Sequence, residues 1–372
     1  MRASIARLFV AIFIAASASY LFAAPVTGVG DNLETLAVRA SDKGDSLTVL
    51  AGRRPPGKDF GPCAEIVLIT VPAAGGAGTF TRIPELDGVT DFNFNYAFSR
   101  YGDLYFVKTY GPGSVYIGRV RNGRARIVEV ALPPALHYGT VRVTNISALD
   151  NGGLDLGVNG KGDGVLVTVD ADLALKLIKP IPRSVEFQGV LRLRGYPDRF
   201  AVLHSTGSAW LFGGVIFTLD LRAPDLLAPL KRQRVIGMAS QPRQSPDGKR
   251  IAMVTQIVFP GLVTAHLFNS SLAPVSSLIT VIKPSYPGLV DILLSDTRLV
   301  ALYDDGGKCY ATVVDSIHGR RLARIAIAVE RSSFCYKVHA VIVGTKMMHV
   351  TTRANYLGDG VNTSLTTHVM SL

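Results

Sequence analysis

One pattern constrains this 372-residue chain more than any other: paired apolar runs joined by polar turns return along its whole length. In Gly164–Ile178 an alternating run (Val165, Val167, Val169) meets a polar turn, Asp170 to Asp172. A second run follows through Leu173, Leu175 and Leu177. Period-2 alternation broken by Asp-rich turns is the signature of a β-hairpin. The same unit recurs at Ala64–Ile83, Ser114–Val130, Gly214–Leu230, Val263–Val281 and Lys308–Ala328. In the second of these Asn122-Gly123 marks a tight turn. The second runs start roughly 45 to 52 residues apart, the spacing of a four-stranded repeat.

Each hairpin is preceded by another, as Phe92–Phe98 and Leu104–Lys108 precede the Ser114 unit. Turns rich in Asp, Asn and Gly punctuate them: Ser99 to Asp103, Asp150 to Gly153, Pro197-Asp198, Asp247-Gly248 and Ser295-Asp296. Seven such units fit, at about 30–83, 88–131, 139–178, 184–230, 234–281, 286–328 and 333–372. The fold class is therefore all-β, a seven-bladed β-propeller of four-stranded antiparallel blades in a single domain over 25–372. Solenoid rungs are shorter than this period, and two β-sandwiches would not share it. Residues Glu34–Arg39 are available to close the ring by pairing with the other terminus.

Gln244–Val254 reads QSPDGKRIAMV. It resembles the Ser-Pro-Asp-Gly-Lys motif of propeller repeats of the periplasmic TolB type and of Trp–Asp-repeat relatives, here Ser245 through Arg250. Pro246 sets φ for the turn, Asp247 caps it, and Gly248 takes positive φ. The resemblance covers one blade and implies fold, since the motif marks a turn. The Trp-Asp dipeptide itself is absent, and the single tryptophan is Trp210.

The N-terminus reads as a signal peptide spanning 1–24. Arg2 and Arg7 precede the apolar run Leu8 to Ala16, and Ala16-Ser17-Ala18 offers small residues for cleavage near 18. Cleavage near 23–24 is the alternative, and an uncleaved membrane anchor the competing reading. The expected location is secreted, or periplasmic in a bacterium. There Cys63, Cys309 and Cys335 can oxidise. Cys63 and Cys309 open third strands and Cys335 a first strand, so a Cys309–Cys335 bridge between adjacent blades is expected. It would close a loop of about 26 residues and add about 3 kcal/mol. Cys63–Cys335 is the alternative. Asn145, Asn269 and Asn362 begin glycosylation sequons, relevant only in a eukaryotic source.

Propeller ligands usually meet loops between blades and between second and third strands. On this register those loops carry Phe60, Tyr110, Trp210, Phe259, Asp304, Asp305 and Tyr356, the candidate ligand face. Such a mixture suits a protein or carbohydrate ligand. The formal net charge is +11, with arginine clusters at 119–126, 231–234 and 320–324. The sets at 119–126 and 320–324 lie on hairpins, where the expected role is to blunt exposed edge strands, and the 231–234 set is expected in a between-blade loop; an anionic glycan or surface is a further candidate partner. Nucleic acid is not expected for an exported chain without aromatic–basic interleaving. The leading reading is a monomeric, non-catalytic binding module without metal or cofactor. The alternative is a lactonase-like or glycan-active hydrolase or lyase using Ca²⁺ or another divalent metal, for which Asp304-Asp305 is the best carboxylate pair. Convergent carboxylates at the channel mouth would favour the enzyme, and an apolar mouth the binder.

Overall fold

A computed structural model describes residues 20–27, 33–53, 55, 63–87, 94–109, 113–134, 142–160, 163–181, 186–209, 214–226, 228–257, 262–276, 279–282, 287–305, 308–327, 338–354 and 363–372. It shows seven small antiparallel sheets in a ring, a seven-bladed β-propeller. In blade 1 the strands are Leu33–Ala40, Ser46–Arg53, Glu65–Pro72 and Thr79–Arg82. Blade 2 uses Phe94–Phe98, Leu104–Thr109, Ser114–Arg121 and Arg124–Ala131. Blades 3 and 4 begin at Arg142–Ala148 and Glu186–Leu193, and blades 6 and 7 at Pro287–Leu294 and His339–Val343. Blade 5 departs from the pattern. Its first strand is split into Met238–Ala239 and Arg243–Gln244, which both pair with Arg250–Ile257.

Ring closure corrects the expectation. Leu33–Ala40, which contains Glu34–Arg39, is the innermost strand of blade 1. The closing strand is Tyr20–Thr27, which runs antiparallel to Thr363–Ser371 and completes blade 7. An apolar stretch read as a targeting segment thus ends in residues that belong to the sheet.

The core lies between blades. One cluster of buried aliphatic and aromatic side chains fills each gap between neighbours. Tyr105, Ile117, Leu156 and Val167 join blades 2 and 3, and Val49, Ile69, Met348 and Val350 join blades 1 and 7. Alternation makes this possible, because a strand sandwiched between two blades buries both of its faces. Phe187 of blade 4 is fully buried against Gly164 of blade 3, where any Cβ would enter the ring.

Inner strands carry bulges at Thr35/Ala37, Val143/Asn145, Phe187/Gly189 and Leu289/Asp291. A bulge takes backbone groups off the ladder and leaves them to find partners. The next blade supplies some: the Tyr96 hydroxyl donates to Leu36 O, and Gln241 Nε2 to Gln188 O at 2.6 Å. Asn145 serves the same end, its amide donating to Val190 O at 2.6 Å and accepting from Val190 N at 2.9 Å.

Candidate functional site at the turn face

The innermost strands of all seven blades enclose a central cavity of about 1170 Å³. Its lining mixes aliphatic residues such as Ala97, Ile146 and Leu191 with Tyr96, Phe98, Ser147, Thr168, Lys176 and His339. The cavity opens where first strands turn into second strands; Arg39, Arg100, Asp150, Arg194 and Arg243 line it toward that end, and Asp291 lies deeper, in mid-strand.

The rim is built by the turns themselves. In blade 5 the turn folds on its serine and aspartate. Ser245 Oγ donates to Asp247 Oδ1 at 2.6 Å, and the same Asp247 oxygen accepts from Lys249 N at 3.0 Å. Gly248 has φ +76°, and a Cβ there would lie 2.8 Å from Arg194 O of blade 4. The expected Ser-Pro-Asp-Gly turn therefore forms, while the TolB-type assignment rests on the motif alone. In blade 4 the turn sits at Arg194-Gly195, before the expected Pro197-Asp198, because the second strand starts early at Tyr196.

Neighbouring turns are hydrogen-bonded to one another. Arg39 Nη2 of blade 1 donates to Arg100 O of blade 2 at 2.7 Å. Tyr101 OH donates to Asp150 O of blade 3 at 3.1 Å. Arg194 of blade 4 reaches both ways, to Asp150 Oδ2 at 2.9 Å and to Pro246 O of blade 5 at 2.8 Å. Asp247 N donates to Asp296 Oδ1 of blade 6 at 2.8 Å. From blade 1 to blade 6 the turns thus form a continuous belt around the mouth.

Two acids at and behind the rim, Asp150 and Asp155, are tightly bound to arginines. Asp155 is fully buried, with Arg192 Nε 2.8 Å from one oxygen and Thr168 Oγ1 2.5 Å from the other. Asp150 is held by Arg194, and Asp291 lies 3.5 Å from Arg243. Among the described residues, no three His, Cys, Asp or Glu side chains gather as a metal would need.

Of the sequence-based ligand-face candidates, Asp304 and Asp305 are described. Phe60, Tyr110, Trp210, Phe259 and Tyr356 lie outside the described residues, as do Cys335 and Asn362. Asp304 and Asp305 end the second strand of blade 6, facing Cys309 and Lys308 across the ladder. Asp305 accepts from Arg324 Nη2 at 2.8 Å, and that guanidinium stacks 4.0 Å from the Tyr310 ring centroid. Each basic cluster contributes one such pair, Arg121 with Asp103, Arg232 with Asp220, Arg324 with Asp305, and the 231–234 set lies in the outer strand Pro229–Ile236 rather than in a between-blade loop. Asn269 caps its own turn, accepting from Ser271 N and Ala273 N. Cys63 is a buried thiol, and Cys309 is not among the thiols.

Two buried sets escaped the sequence reading. In blade 4, Asp220 is fully buried and receives His204 Nε2 at 3.0 Å, Arg222 Nη2 at 3.0 Å and Arg232 Nε at 2.9 Å. Burial alone would push its carboxyl up; the bonds from His204, Arg232 and Arg222 hold it well below the usual range instead. In blade 7, His349 and His368 stack face to face across the ladder, centroids 4.5 Å apart. Burial holds His349 down at about 3. Paired positions this far apart in sequence leave no local spacing to detect. No helix among the described residues is long and apolar enough to cross a membrane.

No family model matches the chain, and no curated protein matches it. Solved structures do. The β-propeller domain of Cps50 (Swd1) from Myceliophthora thermophila is 11% identical, with 91% of this chain and 97% of that one covered at TM-score 0.55. A puromycin-hydrolysing peptidase of Mycobacterium tuberculosis is 13% identical over 91% of this chain and 52% of its own, at 0.54. The propeller domain of the trilobed protease from Pyrococcus furiosus is 10% identical over 86% and 91%, at 0.52. At such identities the likeness speaks for architecture alone, and the chain is a seven-bladed β-propeller.

Proposed function

We propose that this chain is an exported, non-catalytic binding propeller whose ligand enters the central cavity from the turn face. One observation carries the reading: the first strands of all seven blades wall one central cavity, and Asp150 at its turn end is held by Arg194. Concave, mostly apolar sites with a few polar groups at the edge are what ligands bind. Hydrolysis would need a carboxylate or metal poised toward substrate, whereas Asp150 and Asp155 are spent on Arg194 and Arg192. The reading adds the turn face to the between-blade face expected from the sequence.

The same reading includes a Cys309–Cys335 bridge, supported by Cys309 being buried at a third-strand start while Cys63 remains a thiol. Glycosylation at Asn145 is disfavoured, because both ends of its amide are engaged by Val190.

The test pans a random peptide library against the purified chain and locates the binders by crosslinking. Binders that crosslink to cavity-lining residues, together with no turnover of a lactone and glycan panel, are expected. Turnover that survives purification, or binders that crosslink elsewhere, would overturn the reading.

A further inference from the structure

We infer that the outer hairpin of blade 2 is a docking site for a sulfated polysaccharide, whose sulfate esters are held by Arg119, Arg124 and Arg126. The site lies on the flank of the ring and does not depend on the central cavity.

The third and fourth strands of blade 2, Ser114–Arg121 and Arg124–Ala131, carry four arginines in two rows at the hairpin tip. Across the ladder Arg119 faces Arg126, and Arg121 faces Arg124. Alternation puts all four on one side of the sheet. It is the side whose Val115, Ile117 and Val130 pack into the core toward blade 3. Cβ atoms of directly opposed residues stand about 5 Å apart, and the two rows follow each other at about 7 Å along the strands. Like charges placed directly opposite destabilise a sheet. Blades 4 and 6 avoid this: Asp220 stands opposite Arg232, Thr218 opposite Arg234 and Thr312 opposite Arg324.

Edge protection does not account for the arrangement. Charges on the outer strand Arg124–Ala131 serve that purpose. Ser114–Arg121 is no edge, since it pairs with Leu104–Thr109 on one side and Arg124–Ala131 on the other. Local acids do not balance it either. Asp103 of the same blade is spent on Arg121, receiving its Nε at 2.8 Å and also its Nη2. Asp172, on the hairpin turn of blade 3, adds only a Coulombic pull on Arg121. Asp170 of that turn is taken by Lys176 at 2.9 Å. Glu129 lies on the opposite side of the outer strand by the same alternation. Tyr105, in the row of Arg119, donates its hydroxyl to Gly152 O of blade 3. Among the described residues no side-chain hydrogen bond or ion pair engages Arg119, Arg124 or Arg126, and Arg119 Nη1 is buried without a partner. A buried donor left unmade is a cost that an anionic oxygen would remove.

The arrangement also selects among anions. Guanidinium groups are permanently charged, and their planar fork matches oxyanions. Three of them spread over a block of about 5 by 7 Å call for several anionic groups on one scaffold. Sulfate esters on neighbouring sugars have that spacing, whereas the phosphoryl groups of a polyphosphate follow one another more closely. Single-stranded nucleic acid needs exposed aromatic platforms among its basic contacts, and the aromatic ring on this side, Tyr105, is fully buried. A flat anionic membrane would meet the exposed Arg124 and Arg126 and miss the recessed Arg119.

The experiment is isothermal titration calorimetry of the full chain with a short dextran sulfate. The double variant Arg124→Glu/Arg126→Glu is compared with Arg320→Glu/Arg321→Glu, which makes the same charge change on blade 6. Expected is saturable binding that weakens about tenfold or more in the first variant and within about twofold in the second. Arg119→Gln should weaken it about fivefold. The melting temperature of the blade 2 variant should hold or rise, because opposed like charges are relieved. Equal weakening in both double variants would reduce the effect to bulk charge and overturn the site. Absence of saturable binding, or a lowered melting temperature showing that the arginines brace the blade, would overturn it too. Polygalacturonate, polyphosphate or phosphatidylserine vesicles binding as tightly as dextran sulfate would sink the sulfate assignment. None of these results bears on the cavity reading.

Discussion

Replacing Asp220 by Asn tests the charge bookkeeping inside blade 4. The change keeps shape and removes one negative charge from a carboxylate that is fully buried and receives three donors. Arg222, 3% exposed, would stay behind. Its Nε already has no hydrogen-bond partner, and beyond Asp220 its Nη1 reaches Leu226 O at 2.8 Å. Breaking one side of a buried ion pair costs about 3–5 kcal/mol, because the surviving charge is left uncompensated. With an unfolding entropy near 2.1 cal/mol/K per residue, about 350 folded residues give roughly 0.7 kcal/mol/K, so melting should fall by roughly 4–7 °C. Differential scanning calorimetry of wild type and Asp220→Asn reads this directly. The double variant Asp220→Leu with Arg222→Met should recover at least half the loss, since apolar replacement removes both charges. A drop under about 2 °C for Asp220→Asn, or no recovery in the double variant, would refute the argument that Asp220 neutralises Arg222.

Other consequences follow from the same structure. A chain beginning at Ser19 keeps the whole closing strand, whereas one beginning at Pro25 loses the pairs of Tyr20, Phe22, Ala23 and Ala24. The shorter chain should unfold about 2–4 kcal/mol sooner in urea, at about 1 kcal/mol per ladder bond, and equal midpoints would show that the strand does not close the ring. Burial holds His266 down at about 4, so its native state favours the neutral ring. The stability this gives is complete above the unfolded value of about 6.5 and is lost as pH falls toward 4. Melting temperature should therefore drop between pH 7 and pH 4.5, less so in His266→Gln, and a flat profile in wild type would contradict it. Gly164→Ala should cost about 1–3 kcal/mol by driving a Cβ into the Phe187 ring, read as a shifted denaturant midpoint; an unshifted midpoint would mean that the ring has room to move.

The blades were legible because two local signals agree along the chain. Alternating runs such as Val165, Val167 and Val169 fall on a ladder, and turns such as Asp247-Gly248 fall at its ends. The closing strand was hidden because Tyr20–Thr27 continues an apolar stretch whose composition also suits export. Sheet membership appears only when Thr363–Ser371 is alongside. The mouth was hidden for a different reason. Its turn residues carry good local explanations, as Asp247 does in capping Lys249 N. Their second role is a bond to the next blade, 61 residues apart for Arg39 and Arg100 and 44 for Arg194 and Asp150. Nothing within a window of sequence distinguishes an arginine that ties turns together from one that blunts an edge.

Photo-crosslinking decides where the ligand goes. A selected peptide carrying a photoreactive residue is irradiated on the full chain, and the adducts are mapped by mass spectrometry. Adducts on the cavity-lining residues 97–100 and 146–150 are the predicted result. Adducts confined to the between-blade segment 84–87 would contradict binding through the turn-face cavity.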